Sequence, residues 1–264
     1  MPRLIIRSAC ASVTGRQHEA AGTPCQDIAC IYPLGRSGII APLGRSGIIA
    51  AVADGAGSAK YAEAGASVAV SAAIHVLTAP KSNIFALDEP NTVLAQIQKA
   101  LAAEAVKKGC ELRDLACTLM AVLVMKRGDG LEWTAFHIGD GVIASELDNR
   151  LQVLSRPENG EFGNSTFFLT DASAPTRFRA YRGRSEVAAF ALMTDGAAET
   201  LYHRASGRLA PAVGTLIGWS RALHPLTYKN VLTKNLRNVI STKTGDDATL
   251  AIVSFSRKSA NPKT

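Results

Sequence analysis

The chain has 264 residues and a mass of 27.8 kDa, with 47% hydrophobic and 19% charged residues, and its 29 Lys plus Arg outweigh 22 Asp plus Glu to give a formal charge of +7. Such a composition forms a core, which excludes intrinsic disorder, a collagen-like repeat and a disulfide miniprotein. No run approaches the ~20 apolar residues a membrane helix needs, and the apolar run in Met1–Arg7 is too short for a secretory signal, so a cytoplasmic protein with no membrane partner is expected.

The first feature along the chain is a perfect tandem repeat: Pro33-Leu34-Gly35-Arg36-Ser37-Gly38-Ile39-Ile40-Ala41 recurs as Pro42 to Ala50. One extra copy is too few for a solenoid, which needs at least three stacked units, so residues 33–50 are expected to absorb the duplication within a strand and hairpin loop. Tyr61 to Ala79 is small and apolar and ends at Pro80, which suits a buried helix, with Ser58 as its expected N-cap. Thr92 to Lys108 places Leu94, Ile97, Leu101 and Ala105 on one face and two lysines at its C-terminal end, with Gly109 as C-cap. Ala116 to Met125 and Leu131 to Ile138 read as strands around Arg127-Gly128-Asp129-Gly130, a hairpin turn. Further strands are expected at Val142–Leu147, Leu151–Leu154, Thr166–Thr170, Val187–Thr194 and Ala248–Phe255. Leu226 to Ile240 reads as a helix with Tyr228, Leu232, Leu236 and Val239 on one face. Strand runs interrupted by helix pairs describe sheets with helices packed outside them, in one domain spanning 1–264, with 257–264 as a flexible tail. The five cysteines, Cys10, Cys25, Cys30, Cys110 and Cys117, include no CxxC pair and read as reduced thiols.

Chemistry concentrates where aspartates end apolar strands. Ile48 to Ala53 leads to Asp54-Gly55, Phe136 to Gly139 leads to Asp140-Gly141, and Phe190 to Thr194 leads to Asp195-Gly196. Gly245-Asp246-Asp247 precedes the last strand, and Asp27 precedes another apolar stretch. Any one Asp-Gly is an ordinary turn dipeptide, as Asp129-Gly130 illustrates. Several converging on one sheet edge would repel each other severely without compensating charge. Carboxylate and carbonyl oxygens without a His/Cys set favour Mg²⁺ or Mn²⁺. Two such ions can share a water, lower its pKa and present it to a phosphorus centre.

At these positions the chain resembles the type-2C, metal-dependent protein serine/threonine phosphatases. Val52-Ala53-Asp54-Gly55-Ala56-Gly57 is similar to the family's Asp-Gly-x-Gly-Gly, His137-Ile138-Gly139-Asp140-Gly141 to its Gly-Asp-Ser strand, Thr194-Asp195-Gly196 to its Ser/Thr-Asp-Gly, and Asp246-Asp247-Ala248-Thr249 to its Asp-Asn-x-Thr. Gly15-Arg16-Gln17-His18, Gly22-Thr23-Pro24-Cys25-Gln26-Asp27 and Pro157-Glu158-Asn159-Gly160-Glu161 resemble the bacterial branch. The resemblance implies an α+β, four-layer α/β/β/α sandwich with two central antiparallel sheets flanked by helix pairs. It implies that Asp54 bridges two Mg²⁺ or Mn²⁺ ions, that Gly55 gives its carbonyl to one, that Asp195 and Asp246 hold the other, and that Asp27 binds a metal or orients a metal-bound water. Asp140 would join Asp195 around a third, weaker ion. The partners implied are a phosphorylated protein substrate and a cognate serine/threonine kinase, and the chain itself is expected to be a monomer.

Three departures accompany the resemblance: Gln26 stands where the family often has Glu, Ala56 where some members have His, and Gly22 where many carry a phosphate-gripping Arg. Arg16 or His18 is the expected phosphate-binding substitute. These departures also support the alternative of a catalytically weak, phosphatase-like binding protein that recognises a phosphorylated partner. His137 reads as a structural histidine and Asp171 as a turn residue. Arg177 to Arg184 packs four arginines between aromatics and reads as a basic loop; nucleic acid is the weaker expectation for it.

Overall fold

A computed structural model describes residues 4–35, 47–79, 90–159 and 166–257. Most of the duplicated segment, Pro80, Gly160, Glu161 and residues 258–264 lie outside the described residues. Twelve strands and seven α-helices follow in order: β1 Leu4–Val13, α1 Arg16–Ala21, β2 Asp27–Leu34, β3 Gly47–Asp54, α2 Ala62–Thr78, α3 Pro90–Lys108, β4 Leu119–Arg127, β5 Gly130–Ile138, β6 Val142–Leu147, β7 Arg150–Ser155, α4 Ala174–Arg177, β8 Arg179–Ser185, β9 Ala188–Met193, α5 Asp195–Leu201, the short pair β10 Tyr202–His203 and β11 Arg208–Leu209, α6 Pro211–Ala222, α7 Pro225–Asn235 and β12 Ala248–Arg257.

Two antiparallel five-stranded sheets, ordered β1-β12-β9-β6-β7 and β2-β3-β4-β5-β8, stack face to face. Between them lie Val52, Met120, Val122 and Trp133 from one sheet and Phe190, Leu192, Val253 and Phe255 from the other. Helices α2 and α3 cover the outer face of the β2–β8 sheet through Ala66, Ala69, Leu94 and Leu101. Helices α6 and α7 cover the other sheet through Leu216, Ile217, Tyr228 and Leu232. The expected four-layer α/β/β/α sandwich is therefore the architecture observed. Because both faces of the central strands are covered, β3 reads Gly-Ile-Ile-Ala-Ala-Val-Ala-Asp without polar alternation, and each of its first seven residues is buried. Its Ile48, Ala50 and Val52 face the opposite sheet, and its Ile49, Ala51 and Ala53 face α2.

The two copies of the nonapeptide feed one hairpin: Pro33 and Leu34 of the first copy pair with Ile48 and Gly47 of the second. Four local expectations are corrected. Thr166–Thr170 is not a strand; Thr166 makes a single bridge to Asn159, and Asp171 closes a turn by accepting the Phe168 N–H at 2.7 Å. Ser58 does not cap α2, whose N-cap is Tyr61, held by its N–H donating to the Asp114 carbonyl at 2.8 Å. Val239 is 49% exposed, because α7 widens into a π-turn at Leu236–Ile240, and the buried series becomes Tyr228, Leu232, Leu236 and Ile240. The Arg177–Arg184 run is no loop but α4's last residue and strand β8, paired to β5.

The two sheets interlock at Trp133 and Phe190, whose rings meet edge to face with centroids 5.5 Å apart. Phe190 is fully buried, so Phe190→Ala should lower stability by about 3–5 kcal/mol in urea unfolding. A loss under about 1 kcal/mol would show that the sheets do not depend on this contact.

Candidate metal centre

Strand ends and tight turns carry the acidic groups to one edge of the sandwich. Asp27 opens β2 and Asp54 closes β3, and the two are direct partners in the antiparallel ladder, which sets Cβ atoms about 5 Å apart on one face. Gly55 follows, and its N–H donates to the Gln26 carbonyl at 3.2 Å. A Cβ at position 55 would lie 2.5 Å from the Ala62 carbonyl oxygen, so the first turn of α2 leaves room for glycine alone. Thr118 fixes Asp54 from the other side: its N–H donates to the Asp54 carbonyl at 2.8 Å and its hydroxyl accepts the Asp54 N–H at 3.0 Å.

Asp140 sits in the crossing from β5 to β6, after Gly139 at φ +118°, a conformation that needs glycine. The Thr166 hydroxyl donates to its carboxylate. Asp195 opens α5, and the Gly196 N–H donates to its Oδ1 at 2.7 Å. Thr194, just before it, joins the two sheets. Its hydroxyl donates to Asp27 Oδ2 at 2.8 Å and accepts the Thr249 N–H at 2.9 Å.

Asp54, Asp140 and Asp195 each place a carboxylate oxygen within 4.8 Å of the others, and Asp246 forms a neighbouring group with His18 and Asp247. Burial lifts the Asp54 carboxyl well above the usual range, and the charges of Asp27, Asp195, Asp246 and Asp140 lift it further. Asp27 is pushed up to about 8 by burial, against the opposing hydrogen bond from Thr194. Burial, then Asp140 and Asp246, push Asp195 up to about 7. Among the described residues no Lys or Arg pairs with Asp54, Asp140 or Asp195. Asp27 Oδ1 and Gln26 Oε1 are buried without a partner. This is an oxygen-only, over-negative donor set, and hard divalent cations fit it.

Asp27, Asp54, Gly55, Asp140 and Asp195 thus share one edge, and Asp246 stands exposed beside them. Arg16 donates to the Thr242 carbonyl, and His18 Nδ1 lies 2.9 Å from Asp247 Oδ2. Gly22, at φ +67°, is the left-handed C-cap of α1, a backbone state that an Arg there would enter only under strain. Sequence reasoning missed Asp247. It is 2% exposed and accepts the Gly15 N–H at 2.7 Å and the Gln26 N–H at 2.6 Å, tying the last strand's approach to α1 and β2. The tandem Asp246-Asp247 was the available signal, since neighbouring side chains leading into a strand point to opposite sides. His137 is structural, fully buried with Nδ1 2.7 Å from Ser155 Oγ, and burial and then Arg179 hold it well below the usual imidazole range.

A family model described as Protein phosphatase 2C matches residues 14–237. Serine/threonine-protein phosphatase 3 of Escherichia coli K12 is 32% identical over 190 residues, covering 70% of this chain and 71% of that protein. The solved catalytic domain of the serine/threonine protein phosphatase PstP, in complex with two manganese ions, is similar with a TM-score of 0.61 at 16% identity, over 96% of this chain and 99% of that one. PppA of Pseudomonas aeruginosa, a regulatory component of its type VI secretion system, gives a TM-score of 0.60 at 18% identity, over 96% and 100%.

Two outcomes are expected from the site's own geometry. Asp247→Ala leaves the Gly15 and Gln26 amides without their acceptor, so the variant should lose about 2–4 kcal/mol in urea unfolding; an unchanged midpoint would contradict the clamp. In metal-free protein, Asp27 and Asp195 have folded pKa values raised to about 8 and 7, and Asp54 is raised too. Unfolded aspartates release their protons near pH ~4, so the folded state binds more protons above that, and stability must fall as pH rises from about 4 through 8. The thermal midpoint in excess chelator should therefore drop between about pH 5.5 and 8, and Mn²⁺ should restore more at the higher value. A flat profile in chelator would contradict the raised values.

Proposed function

The chain belongs to the protein phosphatase 2C family and is a metal-dependent protein serine/threonine phosphatase, and we propose the residues that carry the reaction. Asp54 would be shared by two Mg²⁺ or Mn²⁺ ions, with the Gly55 carbonyl on one and Asp195 and Asp246 on the other. Asp27 would complete the set from β2, and Asp140 with Asp195 would hold a third, weaker ion. When bound, the ions offset the carboxylate charge, neutralise phosphoryl oxygens and supply a water of lowered pKa for in-line attack at phosphorus.

The chain's own part is to hold oxygens in place. The β2–β3 ladder fixes Asp27 against Asp54, the α2 turn fixes Gly55, and Thr194 and Gly196 fix Asp27 and Asp195 by hydrogen bonds. Gln26 keeps a neutral oxygen buried at the position where a carboxylate would add one more charge. Among the described residues no cysteine or histidine joins Asp54, Asp140 and Asp195 in their group, which supports direct hydrolysis of the monoester. The single observation that carries this reading is the meeting of Asp54, Asp140 and Asp195 within 4.8 Å. The alternative of a non-catalytic binder, raised by Gln26, Ala56 and Gly22, is not favoured, because every aspartate of the set is present. The substrates are read as products of a protein serine/threonine kinase, and the compartment as the cytoplasm. The described helices include none long and apolar enough to cross a membrane.

A chromogenic phosphate monoester should be hydrolysed in Mn²⁺ or Mg²⁺ and not in excess chelator. Asp54→Asn and Asp195→Asn should each lower kcat by at least ~10²–10³-fold while the far-UV circular dichroism spectrum is retained. Full turnover in both variants would sink the assignment.

A further inference from the structure

The charge of +7 is confined to one part of the molecule. Residues 200–245 hold seven Lys or Arg, from Arg204 to Lys243, and no Asp or Glu, so the rest of the chain carries 22 basic against 22 acidic residues. This segment is the helical layer over the β1–β7 sheet. Helix α7 runs through the π-turn Leu236–Ile240 and a 3₁₀ turn at Ser241–Lys243 directly into Gly245-Asp246 of the metal centre. Tyr228, Leu232, Leu236 and Ile240 point inward, which leaves Lys229, Lys234, Arg237 and Lys243 on the exposed side. None of these four has a carboxylate partner among the described residues. Arg16, held by its hydrogen bond to the Thr242 carbonyl, extends the basic strip to the lip of the site.

The other arginine-rich run is different in kind. Arg177 and Arg179 are paired with Glu158, and Arg184 with Glu132, so β8 is largely neutralised from within. In the α6–α7 layer, among the described residues, only Arg221 is so paired, to Glu146 at 2.6 Å. An unneutralised strip that ends at a phosphoester-hydrolysing centre selects for negative charge near the scissile phosphate.

We propose that the Lys229–Lys243 strip docks acidic residues flanking the phosphorylated serine or threonine, so that the enzyme prefers phosphoproteins whose phosphosite lies in an acidic stretch. This inference rests on the phosphatase reading of the neighbouring centre. Fourteen positions at ~1.5 Å rise make the strip roughly 20 Å long, which an extended peptide at ~3.3 Å per residue spans with about six residues. The recognised acidic stretch therefore reaches about six residues from the phosphate. Exposed ion pairs are worth only about two- to fivefold each, so several acting together give a preference of about tenfold or more, weakening with salt.

The test compares phosphothreonine peptides with acidic or neutral flanks, alongside a chromogenic phosphate ester too small to reach the strip, in wild type and in the triple variant Lys229→Glu, Lys234→Glu, Arg237→Glu. Wild type should favour the acidic peptide about tenfold in kcat/KM at low ionic strength. The triple variant should lose or invert that preference with ester turnover unchanged, and the unchanged turnover also reports an intact fold. Equal kcat/KM for the two peptides, or a preference that survives in the variant, would overturn the proposal. If the ester is not hydrolysed in Mn²⁺, the phosphatase reading fails by itself. Fluorescence anisotropy of the same labelled peptides then decides the docking, with charge-selective binding lost in the variant as its signature. Tighter binding to oligothymidylate or to phosphatidylserine vesicles than to the acidic peptide, lost in the same variant, would assign the strip to another polyanion and overturn the proposal.

Discussion

The register that sets Asp27 opposite Asp54 is the constraint on which the site depends. Moving that ladder by one residue would turn every side chain of β2 to the other face, taking Asp27 away from Thr194 and from the other carboxylates. The duplicated nonapeptide makes this a real hazard, since Gly38-Ile39-Ile40-Ala41 repeats the Gly47-Ile48-Ile49-Ala50 that begins β3. The residues downstream of each copy break the tie. The second copy continues into Ala51-Val52-Ala53-Asp54, whereas the first continues into Pro42, which has no N–H for a central ladder. Beyond the hairpin, Thr118 grips both backbone groups of Asp54, so β4 as well as β2 enforces the register.

Fixing several carboxylates together is unfavourable, and the fold meets that repulsion with hydrogen bonds that are themselves buried. The adjacent Asp246 and Asp247 divide the work. One is exposed at the centre, and the other is 2% exposed and accepts two backbone amides from the chain entering β2. Thr194 does the equivalent for Asp27, linking the end of β9 to the start of β2 and so one sheet to the other. The centre therefore draws on both sheets and on three loops. The same two sheets are packed face to face through the Trp133–Phe190 contact.

Much of this was legible in the sequence because the physical signal was strong. Continuous apolar runs ending in Asp-Gly marked β3, β5 and β9, since strands covered on both faces cannot alternate, and a Gly at each end allowed a sharp turn. The helices α2 and α3 were legible from small or periodic apolar faces. The failures have equally definite causes. A π-turn after α7 shifts the buried series from Val239 to Ile240, and a period of 3.6 cannot anticipate it. Strand β8 carries Arg at 179, 182 and 184, so charge hid an edge strand whose inner residues, Tyr181 and Ser185, do alternate toward the core. Strand β1, likewise on an edge, has only the short apolar run Leu4–Ile6 before Arg7, Ser8 and Ser12 interrupt it. Asp247 went unassigned because local pattern says which residues stand together and not which of two neighbours is turned inward.

Averaging also obscured the electrostatics. A chain with a net charge of +7 reads as a binder of polyanions, yet one edge of its sandwich gathers Asp27, Asp54, Asp140, Asp195 and Asp246. The two facts are compatible because opposite charges occupy different elements, the acidic group at the strand ends and the basic strip along α7 and the turns after it. On the proposed reading, cations held by Asp54, Asp195 and Asp246 would offset the carboxylate charge that a phosphoprotein meets there. The strip is a different set of residues, Lys229, Lys234, Arg237 and Lys243, on the exposed side of α7 and the turns after it. On the proposed reading, attraction of the flanking chain and capture of the phosphate are built from separate groups, so a preference set along α7 would be altered without touching the carboxylates assigned to the hydrolysis.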